Sequence, residues 1–270
     1  MMSTVTFNFR QRATQLGCAL GLVAFTASAA QAVTMEAGIK SYKPFIVENI
    51  GVAIAGAKEL QAAVKAGDVK AAQAAWIKSR KGWEVMEPVT GTYFGDIDKV
   101  VDAWPDAKQG YHSIEVVLFK GEKTEGLDQP IADMLASLDK FQKRVSDQKF
   151  TFSAQMLLEG AANLAYEVGE EKSNGGESPY AGTSIVDMQQ NVQGIDVVYD
   201  LVFKDTLTKA DPKLAGIVDG GIDKLQGLVK VADIKAMDKK AVHVAGEELA
   251  ALLLTAAPKL KLKAFKVGDE

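Results

Sequence analysis

Apolar residues recur at steps of three and four along almost the whole chain, the spacing of one face of an α-helix. Ile46, Ile50, Ala53, Ala57, Leu60 and Val64 form a first stripe, with Pro44 suited to its opening turn and Gly67 to its end. Asp68 is placed to cap a second helix, which carries Ala72, Trp76 and Trp83 and is expected to stop near Pro88. Asp128 and Pro130 open a stripe of Ile131, Met134, Leu138, Phe141 and Val145, and another helix is expected over Phe152 to Val168. Ile185, Met188, Val192, Ile195, Tyr199 and Val202 make the most regular stripe, with Thr183 as its expected cap. Asp211-Pro212 starts a further helix, and the stretch from Asp238 to Ala257 is helical up to Pro258. No sustained period-two run competes. The pattern predicts an all-α protein whose helices pack antiparallel in bundles.

Two stretches interrupt the periodicity. Residues 88–111 are rich in Gly, Pro, Asp and aromatics, and residues 169–183 in Gly, Ser and Pro. Loops of this length between helices often carry function. A boundary near residues 146–150 separates two groups of about four helices, so 33–147 and 148–270 are expected as two helical units.

The N-terminus has another character. Arg10 and Arg12 precede an apolar run from Leu16 to Ala27, and Ala30-Gln31-Ala32 fits an A-x-A cleavage site. This is the pattern of a secretory leader over residues 1–32, cleaved before Val33. The run is shorter than the roughly 20 residues a membrane span needs. The expected product is an exported, periplasmic protein. Cleavage takes two arginines from a net charge of −4 and leaves −6. A chain this acidic is a poor nucleic-acid binder. With 47% hydrophobic and 24% charged residues it is also not a disordered one. The single cysteine, Cys18, lies in the leader, so the mature chain has neither a disulfide framework nor a thiolate metal site.

The candidate chemistry sits beside the first interruption. His112 and Glu115 stand as His-x-x-Glu, and Glu84 and Glu87 have the same spacing. On a helix, residues three apart share a face. Metal sites in bundles are built from such pairs on facing helices. A solvated helix face has this spacing too. The site reading gains from the apolar surroundings of both pairs, and from His112 being one of only two histidines. The other, His243, lies between Val242 and Val244 and is expected to be a partly buried residue with a local hydrogen bond. Met86 and Met188 are expected in the core. Lys78, Arg80 and Lys81, like other basic groups along the chain, are expected on solvated helix faces. His-Glu-x-x-His is absent, and Val116 follows Glu115 where an inverted zinc motif needs histidine. The chain is therefore expected to bind rather than catalyse.

Tyr-His-Ser-Ile-Glu at 111–115, preceded by Glu87-Pro88 and Phe-Gly-Asp-Ile-Asp at 94–98, resembles the His-x-x-Glu signature of the imelysin family. The closer likeness is to its EfeO-like branch of periplasmic iron-uptake proteins. Glu177-Ser-Pro-Tyr-Ala-Gly-Thr-Ser184 and the helix after it resemble a second block of that branch. The amino-terminal cupredoxin domain of its longer members is absent. The resemblance implies two four-helix bundles with a cleft between them. It carries over Glu84, Glu87, Asp96, His112, Glu115 and Glu177 as candidate metal ligands. One imidazole among carboxylates suits iron and accepts copper, zinc or manganese. Six ligands exceed what one ion takes, so some are expected to act from outside the coordination sphere. The implied partners are a metal ion and an inner-membrane iron permease, with the protein itself a monomer. The branch also contains an alginate-binding member, which makes an acidic polysaccharide, held by lysine groups or bridged by a metal ion, the alternative ligand.

Overall fold

The computed structural model describes residues 26–268, and most of the leader read at 1–32 lies outside them. The described residues are helical, without strands. Helix α1 (Thr26–Lys65) and α2 (Val69–Glu84) form a hairpin. Gly67 turns it at φ +68°, and the Asp68 carboxylate accepts from the Ala71 amide at 3.0 Å. Pro44 lies inside α1 and not at its start. A proline there forfeits one intrahelical bond, and the buried stripe of Tyr42, Ile46 and Ile50 runs straight across it.

Residues 88–111 are the main departure from the pattern. Helix α2 ends at Glu84, near Pro88 as expected, but no loop follows: Pro88 occupies the first turn of α3 (Glu87–Val101), where its missing N–H has no partner to lose. The glycines and aromatics of this stretch are therefore mostly helical, with one non-helical residue at Phe94 (φ −133°, ψ 34°). A loop with a short 3-10 turn at Pro105–Ala107 leads into α4 (Gly110–Glu115), which continues as a π turn over Val116–Lys120. Helix α5 (Asp128–Ser146) begins at its expected start signals, and α6 (Ala154–Glu170) follows. The predicted loop at 169–183 contains only a 3-10 turn at Lys172–Asn174. Helix α7 (Ser184–Val198) runs through a second π turn, Tyr199–Phe203, into α8 (Lys204–Ala210). Thr183 precedes α7 but gives it no side-chain cap. Asp211 caps α9 (Pro212–Val229) and Asp238 caps α10 (Lys239–Lys259), whose last turn includes Pro258. No helix among the described residues is long and apolar enough to cross a membrane.

Helix α1 packs on α2 and α5, and α5 also touches α3; α6 packs on α7 and α10, and α9 on α7 and α10. The two sets meet where α3 crosses α6 and α2 crosses α7. Two glycines allow this seam to close. A Cβ on Gly160 of α6 would lie 1.8 Å from the Pro88 carbonyl oxygen, and one on Gly194 of α7 would lie 2.4 Å from that of Val85. Both helices thereby press against the α2–α3 junction, which carries Glu84 and Glu87. Met86 and Met188 are wholly buried nearby, as expected for core residues. Gly194→Ala is expected to cost about 1–3 kcal/mol by overpacking, read as a lower urea midpoint with an unchanged denaturant slope.

Candidate metal centre

Helix α2 turns Trp76, Arg80, Trp83 and Glu84 onto one buried face, because steps of three and four share a side. Arg80 is therefore not on a solvated surface. It is fully buried, with its guanidinium 5.7 Å from the Trp76 ring centre and 5.5 Å from that of Tyr111. It forks among four acids. Nη2 donates to Glu177 at 2.7 Å and lies 2.7 Å from Glu84 as an ion pair, and Nη1 donates to Asp102 at 2.6 Å. Nε lies 3.5 Å from Asp187.

A second buried cation, Lys172, stands on the 3-10 turn. Its Nζ lies 2.8 Å from Glu87 Oε1 and 3.2 Å from Glu177 Oε2. Asn191 of α7 donates through Nδ2 to the carbonyl and carboxylate of Glu84 and to Glu87. Ser178 donates its hydroxyl hydrogen to Asp187. Five carboxylates thus face two cations in a nearly dry place. Such an excess of charge requires protons or a further cation.

His112 and Glu115 of the His-x-x-Glu motif share a helix but face different partners. His112 Nε2 lies 3.4 Å from Asp102, and the exposed Trp104 stacks on the imidazole with ring centres 4.6 Å apart and planes at 6°. Glu115 Oε1 accepts from the amides of Tyr180 and Ala181, each at 2.8 Å. It thereby holds the loop that carries Glu177. Glu115→Ala is expected to free that loop, seen as faster hydrogen exchange at the Tyr180 and Ala181 amides.

Donor atoms of Asp102, His112 and Glu177 lie within 4.8 Å of one another, as do those of Glu84, Glu87 and Glu177. Glu177 is common to both triads. Of the six sequence candidates, Glu84, Glu87, His112 and Glu177 therefore converge, and Glu115 borders the cluster. Asp96 stands apart. Its half-exposed carboxylate pairs with Lys140 at 2.7 Å and Arg144 at 2.6 Å. The reason is helical phase: Asp98, two residues on, lines the cleft, and two residues place side chains on nearly opposite faces. Asp102, one turn beyond Asp98, comes to His112.

Burial dominates the protonation of the cluster. It raises Glu87 to about 8, overcoming Lys172, and raises Glu84 well above its ordinary value despite Arg80. It lifts Asp187 to about 6 and half-buried Asp98 to about 7. Asp102 and Glu177 go the other way. Burial opposes their ionisation, but Arg80 and His112 at Asp102, and Lys172 and Arg80 at Glu177, hold both below the ordinary range. Burial, aided by the Arg80 charge, lowers His112. That leaves a neutral imidazole, the form that ligates metal.

The cluster opens into a cleft of about 410 Å³, walled by Glu87, Asp98, Asp102, Glu167, Glu171 and Glu177. Lys172 is the one basic residue lining it besides His112. A third group, Glu170, His243 and Glu247, lies on the surface away from the cleft, with His243 41% exposed between its two acids at 3.6 and 3.7 Å.

Asp102, Arg80, Lys172, Asp187 and Asn191 are the residues that sequence reasoning missed. Arg80 had a readable signal, since it follows Trp76 by four and precedes Trp83 by three on an apolar stripe. The others are joined only by the fold.

The sequence pattern described as imelysin matches residues 53–261. The iron uptake system component EfeO of Escherichia coli K12 is 31% identical over 216 residues, covering 76% of this chain and 56% of that protein. The same component of Shigella flexneri matches equally, and that of Escherichia coli O1:K1 is 30% identical over the same length. The chain thus spans little more than half the length of these relatives. A match over most of the chain, with this level of identity, places it in the imelysin family, on the EfeO-like branch.

Proposed function

We propose that this chain is an exported binding protein of iron uptake that carries a metal ion in the acidic cleft. The observation that supports this most is the pair of buried triads sharing Glu177, in which carboxylates outnumber cations five to two. Asp102, His112 and Glu177 supply one imidazole and two carboxylates, a donor set that suits iron, with copper or zinc as substitutes. Glu84 and Glu87 supply oxygens to the same ion or to a neighbour. The uptake components among the relatives favour iron as cargo. They also favour delivery to a membrane permease, and the leader pattern favours the periplasm as the place. Nothing in this arrangement calls for hydrolysis. The acidic cleft argues against a polyanion as direct ligand, so alginate enters this reading only through a bridging cation.

The test is metal content and affinity. Protein purified without chelator is expected to contain iron by mass spectrometry. Glu177→Gln and His112→Ala are expected to weaken iron binding by about 10-fold or more with an unchanged circular dichroism spectrum. Wild-type affinity in both variants would remove the cleft from consideration.

A further inference from the structure

Two of the three carboxylates of the second triad already hold a cation. Lys172 Nζ contacts Glu87 Oε1 and Glu177 Oε2, and its side chain is only 6% exposed. A metal ion bound by Glu84, Glu87 and Glu177 takes oxygens of these same carboxylates at about 2.0–2.2 Å. An ammonium hydrogen-bonded to them and a multivalent ion coordinated by them cannot share so small and dry a place, because two cations there repel with little screening.

The two resident cations differ in their freedom. Arg80 projects from the middle of α2, packed beside Trp76 and Tyr111 and set among four acids. Lys172 projects from a three-residue 3-10 turn that ends at Gly175 (φ +82°), followed by Gly176. Its stem has four rotatable carbons, and its head reaches Glu87 and Glu177 from the wall of the open cleft. Glu167 and Glu171 line the same cleft.

We propose that Lys172 is a resident counter-cation that the incoming metal ion displaces, and that it sets how tightly the centre holds its cargo. This rests on the metal-binding reading above. Exchange of a single charge for two or three explains why the buried acids can be kept without cargo and still bind it. It also selects by valence: a sodium or potassium ion brings no more charge than the ammonium it would replace and gains nothing by the exchange. In the reverse direction Lys172 re-enters as the ion departs, which spares the cluster a bare excess of buried negative charge and eases release.

Metal-free wild type, Lys172→Met and Lys172→Arg are titrated with Fe²⁺ under anaerobic conditions and with Zn²⁺, at near-neutral pH, by calorimetry. Lys172→Met removes the competitor at similar length and is expected to bind about 10-fold or more tightly. Lys172→Arg keeps the charge balance, and a forked guanidinium grips carboxylates better than ammonium does. It is expected to bind about 10-fold more weakly. If wild type binds metal while Lys172→Met binds equally or less tightly, the displacement idea is overturned and the metal centre stands. If neither wild type nor Lys172→Met takes up metal, the metal centre itself falls, and this inference with it. Should Lys172→Met fail to fold without metal, Lys172→Arg decides alone, and wild-type affinity in that variant overturns the proposal.

Discussion

Replacing Arg80 by methionine is expected to be the most damaging single substitution in the metal-free protein, costing about 3–5 kcal/mol. The side chain touches Glu84, Asp102, Glu177 and Asp187 at once. It is also the charge that holds Asp102 down against burial and helps Lys172 do so at Glu177. Methionine keeps packing beside Trp76 and Tyr111 but leaves those acids without their partner. A loss of this size is a large part of the 5–15 kcal/mol that holds a typical domain folded. Arg80→Lys keeps one charge but cannot fork, and should fall between wild type and methionine. Urea unfolding at neutral pH checks the order. Acidification should narrow the gap, because protonated acids no longer need the guanidinium. Equal midpoints for wild type and Arg80→Met at neutral pH would show that the cluster is already neutral or hydrated.

The sequence carried the helices well because each is amphipathic over several turns and opened by a recognisable residue. Asp68, Asp211 and Asp238 act as caps where their position before an apolar stripe implies it. Pro44 has the look of a helix start, yet it lies within α1, since burial of Tyr42 and Ile46 on either side outweighs a proline's local cost; Pro88 does mark a boundary, but by opening α3, so the glycine- and aromatic-rich stretch after it is helix and not loop. The π turns after Glu115 and Val198 left no mark in the periodicity, because one extra residue per turn only shifts a stripe slightly.

The acidic cluster is legible in the sequence where its residues come in helical pairs and illegible where they come singly. Glu84 and Glu87, and His112 and Glu115, stand out because their shared spacing lies amid apolar residues and within a family-like motif. Asp102 is an isolated acid in a loop, and Lys172 is one of many lysines. What makes each significant is a neighbour from another part of the chain: His112 for Asp102, and Glu87, on the far side of the α3–α6 crossing, for Lys172. Asp96 shows the converse error. Its place in a family-like motif outweighed the phase of α3, which turns it toward Lys140 and Arg144.

Metal affinity is expected to rise steeply with pH, by about 100-fold per unit where two protons are displaced per ion. Burial raises Glu87 to about 8, so it is largely protonated in the metal-free protein near neutrality, and burial shifts Glu84 in the same direction. A bound ion requires them as carboxylates and expels those protons. Calorimetry in buffers of different ionisation enthalpy counts the protons released, and a count near zero would mean that neither glutamate ligates. The same groups set an opposite trend for the stability of the metal-free fold. A carboxyl whose folded value is raised binds more protons folded than unfolded, so stability falls as pH climbs from its ordinary value to its folded one. For Glu87 that interval runs from 4.5 to about 8, and for Asp98 from 3.8 to about 7. His112 acts against this only below its ordinary value of 6.5, because its folded value is lowered and the neutral form is the same in both states above that point. Asp102 and Glu177 are lowered and contribute a constant amount throughout. Between pH 6.5 and about 8 the raised acids therefore decide the sign. The metal-free protein should melt at a lower temperature at the upper end of that window than at the lower, while the metal-loaded protein should show the reverse, since the ion supplies the positive charge that the ionised cluster lacks.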